Sequence, residues 1–399
     1  MSGQLVEQWP LKRLGDVCLF QGGSQPPKSN FIQEPKQGYV RLLQIRDFTS
    51  DSKAVYIPEK LAKRRCEKTD IMIGRYGASV GQIHRGKEGS YNVALIKTIP
   101  DLNLINRDYF YYYLQSPLFQ EPLRKVSARA AQAGFSKGDI NDFEIPLPSL
   151  DEQQRIVSIL DDALENISNS SKRVKHKLLD ANELLQSVIH SIITPDDHSW
   201  DEFALDELTH KITKGSSPKW QGVSYIDEPG VLFVTSENVG SNQMIYKKTK
   251  FVEDKFNEID SKSILEKGDV LTNIVGASIG RTAVFDKHDN ANINQAVCLI
   301  RCNEQKLVNK YLAYLLNSHF FVQILHDNEV NTARANLSLG FFRSLVIPVP
   351  TISEQYEIVE KLDSVYSNIS KVKLVLEQES RSLKDLKQSI LQEAFNGTL

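Results

Sequence analysis

Residues able to do covalent chemistry occur throughout this 399-residue chain, but not in the groupings that such chemistry needs. Gly81, Gly86 and Lys87 have the spacing of a phosphate loop, whose backbone amides and lysine would cradle a nucleotide. Glu88 stands where a hydroxyl should hold magnesium, and its charge would repel phosphate. Cys298 and Cys302 are close in sequence, yet no second pair completes a tetrahedral zinc site, and both are expected in a strand at the edge of a core. Glu253-Asp254-Lys255 supplies the last piece of a nuclease motif without a preceding acid nearby. Pro26-Pro27 runs into Lys28, so the Asn/Asp-Pro-Pro-aromatic motif of an amino-methyltransferase is missing. The eight histidines, His84 and His288 among them, show no paired helical spacing. No catalytic residue and no metal site are assigned.

The polar loops carry a different chemistry. The first half of the chain offers Lys28, Arg41, Gln44, Arg46, Arg75, Tyr76, Ser79 and Arg85, followed by Arg129, Gln132 and Lys137. The second offers Lys214, Lys219, Thr235, Glu237, Asn238, Asn273, Ser278 and Arg281, followed by Arg334 and Asn336. Arginine pairs bidentately with guanine, Asn and Gln with adenine, and Glu accepts from cytosine. Lysine, serine and the amides of glycine turns suit phosphates. Any one of these residues alone would be an ordinary solvated side chain, so the frame that positions them matters more.

That frame is written twice, at an offset of about 190–202 residues. Trp9 and Leu14 return as Trp200 and Leu205, and Gly23-Ser24-Gln25-Pro26 as Gly215-Ser216-Ser217-Pro218. Asp70-Ile71-Met72 with Gly77-Ala78-Ser79-Val80-Gly81 returns as Asp269-Val270-Leu271 with Gly276-Ala277-Ser278-Ile279-Gly280. Asn92-Val93-Ala94 matches Asn294-Gln295-Ala296, and Ile145-Pro146-Leu147-Pro148 matches Ile347-Pro348-Val349-Pro350. The order is preserved throughout, whereas the polar positions differ: Arg46 faces Asn238, and Arg75-Tyr76 faces Ile274-Val275. A repeated scaffold with divergent loops suits two readers of two sequences.

Within each copy, 40–45 and 231–234 are expected as strands, and 71–73 and 270–271 as strands entering a glycine turn. Tyr109–Leu114 and Tyr311–Leu316 are expected as short helices whose aromatic-aliphatic stripe faces the core. Residues 149–194 and 351–395 are different: they lack internal Gly and carry an apolar repeat spaced three and four apart. Ile156, Leu160, Ala163, Ile167, Val174, Leu178, Ala181, Leu185, Val188 and Ile192 form one seam. Ile358, Leu362, Val365, Ile369, Val372, Leu376, Leu383, Leu386 and Ile390 form the other. Ser149 with Glu152, and Thr351 with Glu354, have capping-box spacing, while Pro195 and Gly397 are stop signals. Such helices would be about 60 Å long and are expected to pair antiparallel as a rod with a globular domain at each end, the alternative being that each packs on its own globular domain or on another chain.

Composition fits this picture. Charged residues make up 25% and hydrophobic residues 41%, as in ordinary globular proteins. No stretch approaches a membrane span, the first ten residues do not resemble a signal peptide, and four cysteines cannot form a disulfide framework. A cytoplasmic protein is expected. The net charge of −2 conceals a split: residues 1–150 carry a net +6 and residues 196–350 a net −4.

The segment Ile-Pro-Leu-Pro-Ser-Leu-Asp-Glu-Gln-Gln-Arg-Ile-Val (145–157) and its copy Ile-Pro-Val-Pro-Thr-Ile-Ser-Glu-Gln-Tyr-Glu-Ile-Val (347–359) carry a specific resemblance. With the repeated glycine turn, they make the chain similar to the specificity subunit of type I restriction-modification systems over essentially its whole length. The resemblance implies an α+β fold with two duplicated mixed α/β target-recognition domains, 1–148 and 196–350. Between and after them come conserved helical regions, 149–195 and 351–399, which pair as an antiparallel coiled coil with internal pseudo-two-fold symmetry. It implies a non-catalytic subunit that reads a split, asymmetric site in double-stranded DNA, the helices setting the spacer. Two methyltransferase subunits would dock on the helices and bind S-adenosylmethionine; restriction subunits would bring ATP and magnesium; the chain itself would bind no cofactor. The acidic second domain departs from a simple basic reader. The alternative is a coiled-coil scaffold whose globular ends bind proteins.

Overall fold

A computed structural model describes residues 9–128, 134–193, 200–227, 229–287, 290–329 and 335–399. Contacts divide the chain into two compact units. One comprises the residues up to Lys175 together with Glu377–Leu399; the other is His176–Leu376.

The first unit holds two four-stranded sheets. In one, Cys18–Gly22, Leu95–Pro100, Met72–Gly74 and Ile83–His84 lie side by side, all antiparallel. In the other, the order is Tyr56–Pro58, Tyr39–Leu43, Gly89–Tyr91, Arg65–Cys66, with the middle pair parallel. A ribbon of Leu11–Arg13 with Glu144–Pro146 brings the start of the unit beside its helical exit.

The second unit repeats this plan. Its antiparallel sheet runs Thr209–Lys214, Val297–Cys302, Val270–Asn273, Thr282–Val284. Its other sheet also centres on a parallel pair, Val231–Val234 with Ala291–Ile293, and a ribbon of Asp201–Ala204 with Val346–Val349 matches the first. The copies differ at one edge. In the first unit the outer strand pairs beside Gly89–Tyr91, whereas Tyr225–Ile226 pairs on the opposite side, beside Phe251–Val252. Expected strand 40–45 stops at Leu43 and continues as a tight turn over Ile45–Phe48.

The aromatic stripes are core. Tyr109, Phe110, Tyr113 and Leu114 of helix Arg107–Gln115 are buried, as are Tyr311, Leu312, Leu315 and Leu316 of helix Asn309–Asn317. Burying a tyrosine demands a partner for its hydroxyl. Tyr109 and Tyr311 donate to the carbonyls of Pro146 and Pro348, at 2.8 and 3.0 Å. The repeated Ile-Pro-x-Pro segment thus supplies an acceptor at the same place in each copy.

Two long helices follow these segments, Leu150–Ile193 and Ile352–Asn396. The Glu152 amide donates to Ser149 Oγ at 3.3 Å. At Thr351 the box is complete: its amide and hydroxyl donate to the Glu354 carboxylate, and the Glu354 amide donates back to Thr351 Oγ1. In the first unit, Ile156, Val157 and Leu160 share an apolar cluster with Leu391, Ala394 and Phe395. In the second, Leu185, Ile189 and Ile193 share one with Ile358, Val359 and Leu362. Within each unit the start of one helix meets the end of the other, which is antiparallel packing. The seam residues Ile156, Leu160, Ile167, Leu185, Ile358, Leu362 and Leu376 are buried, while Leu178 and Ile369 are half-buried. Three departures correct the expected seam, the first being Val372, which is exposed. Ile189 and Ile193 are buried where Val188 and Ile192 are only half-buried, because the helix end there packs on a globular core as well as on its partner helix, which turns a wider face inward. Leu386 is exposed; Leu391, Ala394 and Phe395 make the docking contacts instead.

Candidate nucleic-acid interface

Strand direction gathers loops at one end of each unit. In the first, Cys18–Gly22 and Met72–Gly74 both end where Leu95–Pro100 begins, with Gly22 opposite Ile96 and Gly74 opposite Leu95. The parallel strands Tyr39–Leu43 and Gly89–Tyr91 end there too: the Asn92 amide donates to the Leu43 carbonyl and the Arg75 amide to the Ala94 carbonyl. The segments 22–28, 44–46, 75–79, 92–94 and 134–137 thereby meet. The last joins through a bridge between Tyr76 and Gly134 and through Arg75, whose Nε donates to the Phe135 carbonyl at 2.9 Å.

The second unit assembles the same loops. The Asn294 amide donates to the Val234 carbonyl, the Ile274 amide to Ala296, and the Gly276 amide to Ala335. A bridge joins Val275 to Asn336. The glycine turn has the same backbone in both copies: Gly77 and Gly276 lie at φ +59° and +74°, Gly81 and Gly280 at +78° and +86°. L-residues with a side chain rarely adopt these angles, which accounts for glycine at each corner.

Several expected readers stand on these loops. Lys28, Arg46, Tyr76, Lys137, Lys219, Glu237 and Arg281 are exposed, and Gln44, Arg75, Ser79, Lys214, Ser278 and Asn336 are half-buried. Among the described residues, no acid pairs with Lys28, Arg46, Arg75, Lys137, Lys214, Lys219 or Arg281, although the Arg46 guanidinium donates to the Lys53 carbonyl at 3.4 Å. Arg75 stacks over the Tyr76 ring at 4.9 Å, which holds a cation and an aromatic face side by side.

Other expected readers have structural jobs. Asn238 is buried: its Oδ1 accepts from the Thr235 amide and hydroxyl, and its Nδ2 donates to the carbonyls of Ile245 and Lys248. Thr235 is buried with it. Asn273 is also buried, its Nδ2 donating to the carbonyls of Ser236 and Val239. Arg41 lies back in its strand, bonded to buried Asp47 and to Asp51, which Lys87 also binds. Arg85 follows the strand Ile83–His84 at the opposite end of the sheet from the glycine turn, paired with Asp108 and lying over Tyr111. These five residues leave the reader set. Arg129, Gln132 and Arg334 lie outside the described residues.

The loops also present tips that the sequence reading passed over. Asn92 and Asn294 each turn the chain by accepting from the amide two residues on, which leaves Val93 and Gln295 exposed at the tip. Trp220 is exposed on the loop after Gly215. The repeat Asn-x-Ala, with only its middle residue changed, was a signal for the first pair.

The cysteines have no place in this chemistry. All four are buried, and burial pushes the thiols of Cys18, Cys298 and Cys302 up to about 12 and that of Cys66 to about 11, keeping them protonated and poor as ligands or nucleophiles. Cys298 is wholly buried, deeper than the expected strand edge.

Residues 6–178 and 198–378 each match the Type I restriction modification DNA specificity domain. The chain is 24% identical to the type I restriction enzyme MjaVIII specificity subunit of Methanocaldococcus jannaschii, over 99% of this chain and 94% of that one. It is 20% identical to the EcoKI specificity subunit of Escherichia coli K12, over 100% and 90%. Among solved structures, a chain from a study of complex assembly and conformational transition of the type I R-M system superposes with a TM-score of 0.78 at 20% identity, covering all of both chains. The HsdS subunit of Thermoanaerobacter tengcongensis gives 0.53 at 20% identity, over 99% and 98%.

Proposed function

The chain belongs to the family built on the type I restriction modification DNA specificity domain, two copies of which span most of its length, and we propose that each copy reads one half of a split, asymmetric site in double-stranded DNA. It is a specificity subunit, which recognises DNA sequence and leaves catalysis to other subunits. The recognition domains are 1–148 and 196–350, and the helical regions are 149–195 and 351–399. The observation that carries the reading is a single loop frame built twice with different side chains: Arg75-Tyr76 and Val93 on one copy, Ile274-Val275 and Gln295 on the other. Two methyltransferase subunits dock on the helices and hold S-adenosylmethionine, and restriction subunits bring ATP and magnesium. The complex works in the cytoplasm. Within the described residues, no helix is long and apolar enough to cross a membrane.

Co-expression with the adenine methyltransferase subunit of its own operon, in a host without DNA methylation, tests this. Sequencing of modified bases should give a split motif with adenine methylated in both halves. A co-purifying complex that methylates nothing would argue for a scaffold. In that assay Arg75→Ala should relax only the half-site read by the first domain, by about 1–3 kcal/mol if it meets a base. A uniform loss with a smaller salt dependence would mark a phosphate contact instead. The helices set the distance between half-sites. Four residues inserted near Ser170, about one turn, should therefore lengthen the unread spacer and leave both half-sites unchanged. Altered half-sites with the old spacer would refute that role.

A further inference from the structure

Trp220 is 80% exposed, more than any other large apolar side chain among the described residues. The fold makes no use of the indole, yet it holds the base of the residue firmly. Pro218 is buried, the Trp220 amide donates to the Ser217 carbonyl at 3.1 Å, and the Val223 amide donates to the Pro218 carbonyl at 2.9 Å. Gly222, at φ +67°, ends the turn. Val223 then anchors the loop in a cluster with Val231, Phe233, Val252 and Phe256. A rigid turn thus presents an aromatic plane to solvent, five residues after Gly215, whose backbone lies against residues 293–294 of the loop cluster.

The two units solve one problem differently. In the first, the glycine turn supplies the exposed aromatic, Tyr76 at 44%, beside the unpaired charge of Arg75. In the second, those positions hold Ile274, which is buried, and Val275, and the acidic Glu237 is exposed nearby. The second unit therefore keeps a cation at its glycine turn, the exposed Arg281, but has no aromatic there, and Trp220 beside Lys219 is the aromatic it presents from another loop.

We propose that Trp220 contacts DNA directly, its indole packed in a groove of the half-site read by the second unit, against deoxyribose and base edges. The proposal rests on the specificity reading. It assigns unit two an apolar half-site contact beside the cations Lys214, Lys219 and Arg281. An indole needs no phosphate, so it contributes affinity without releasing counterions. Tryptophan is among the residues enriched at interface hot spots, whose truncation costs at least about tenfold in affinity.

The test uses the full chain in complex with its methyltransferase partner and a fluorescein-labelled duplex carrying the site mapped by methylation. Trp220→Ala should weaken binding at least tenfold with an unchanged salt slope, and Trp220→Phe should recover part of the loss. Lys219→Ala should instead lower the salt slope by about one. Hydroxyl-radical oxidation of Trp220, read by mass spectrometry, should fall when the duplex is added. Trp220 oxidised equally with and without bound duplex, or an Ala variant that binds as tightly as the parent, would overturn the proposal and leave the specificity reading standing. A parent complex that neither methylates nor binds DNA would overturn both.

Discussion

Gly215→Ala is expected to disrupt the second unit more than any other single-methyl change. A Cβ there would sit 1.7 Å from the Ile293 carbonyl oxygen and 2.5 Å from its carbon. Both are backbone atoms of the segment leaving the parallel strand Ala291–Ile293, so no side-chain rotation can relieve the clash. The loop after Thr209–Lys214 and the residues at 293–294 must separate, which breaks the joint on which the loop cluster is built. A cost of about 3 kcal/mol follows from forced overpacking of this kind. Hydrogen exchange of the full chain is the direct measurement. Peptides covering 209–214 and 291–299 should exchange roughly a hundredfold faster, while peptides of the first unit stay unchanged. Gly23→Ala should do the same to the first unit, since its Cβ would lie 2.0 Å from the Asn92 carbonyl oxygen. Gly22→Ala is the control, with nothing within 4 Å of the added carbon. Normal exchange in Gly215→Ala would mean that the two loops do not approach as described.

The frame was legible in sequence because its requirements are backbone requirements. Glycine at close approaches and positive φ, proline before a capping box, and apolar spacing along a helix each have few substitutes, so the second copy had to keep them. The reader positions were less legible because an amide or guanidinium has the same chemistry facing a base as facing the protein's own backbone. Asn238 and Asn273 are spent on carbonyls, and Arg41 and Arg85 on carboxylates, for reasons that only tertiary placement supplies. Trp220 escaped for the opposite reason: an indole suggests core, and only its exposure marks it as a contact. The helix seam followed its heptad until the helix end packed on its partner and on a globular core together. There Ile189 and Ile193 took over from the expected Val188 and Ile192.

The Glu-Gln pair that opens each long helix has a second half whose role the sequence left unstated. Gln355 is fully buried. Its Oε1 accepts from the Val308 amide at 2.7 Å, and its Nε2 donates to the carbonyls of Lys306 and Pro350 at 3.0 and 2.9 Å. Gln153 makes the matching set with Asn106, Leu104 and Pro148 at 2.7, 3.1 and 2.9 Å. One amide therefore binds three backbone groups that helix and sheet leave unpaired, fixing how the long helix leaves its domain. Asp363 adds a second tie, accepting from the Tyr314 hydroxyl at 2.5 Å, and Asp161 accepts from Tyr112 in the first copy. Gln355→Leu keeps the volume but strands one buried N–H and two carbonyls, at about 1–3 kcal/mol each, so a loss of about 4 kcal/mol is expected. Gln355→Glu tests the polarity separately. A carboxylate would keep the bond from Val308 but turn charge toward two carbonyls, so its folded pKa must rise. A raised acid pKa gives stability that is present below the unfolded value and lost as pH rises through the folded one. The Glu variant should therefore approach the parent near pH 4.5 and fall well below it at pH 7, whereas the Leu variant should be equally deficient at both. Urea midpoints at the two pH values, each relative to the parent, distinguish these outcomes. If the Leu variant matched the parent, the long helix would be held by its apolar face alone, and the buried glutamine would not be what sets its angle to the domain.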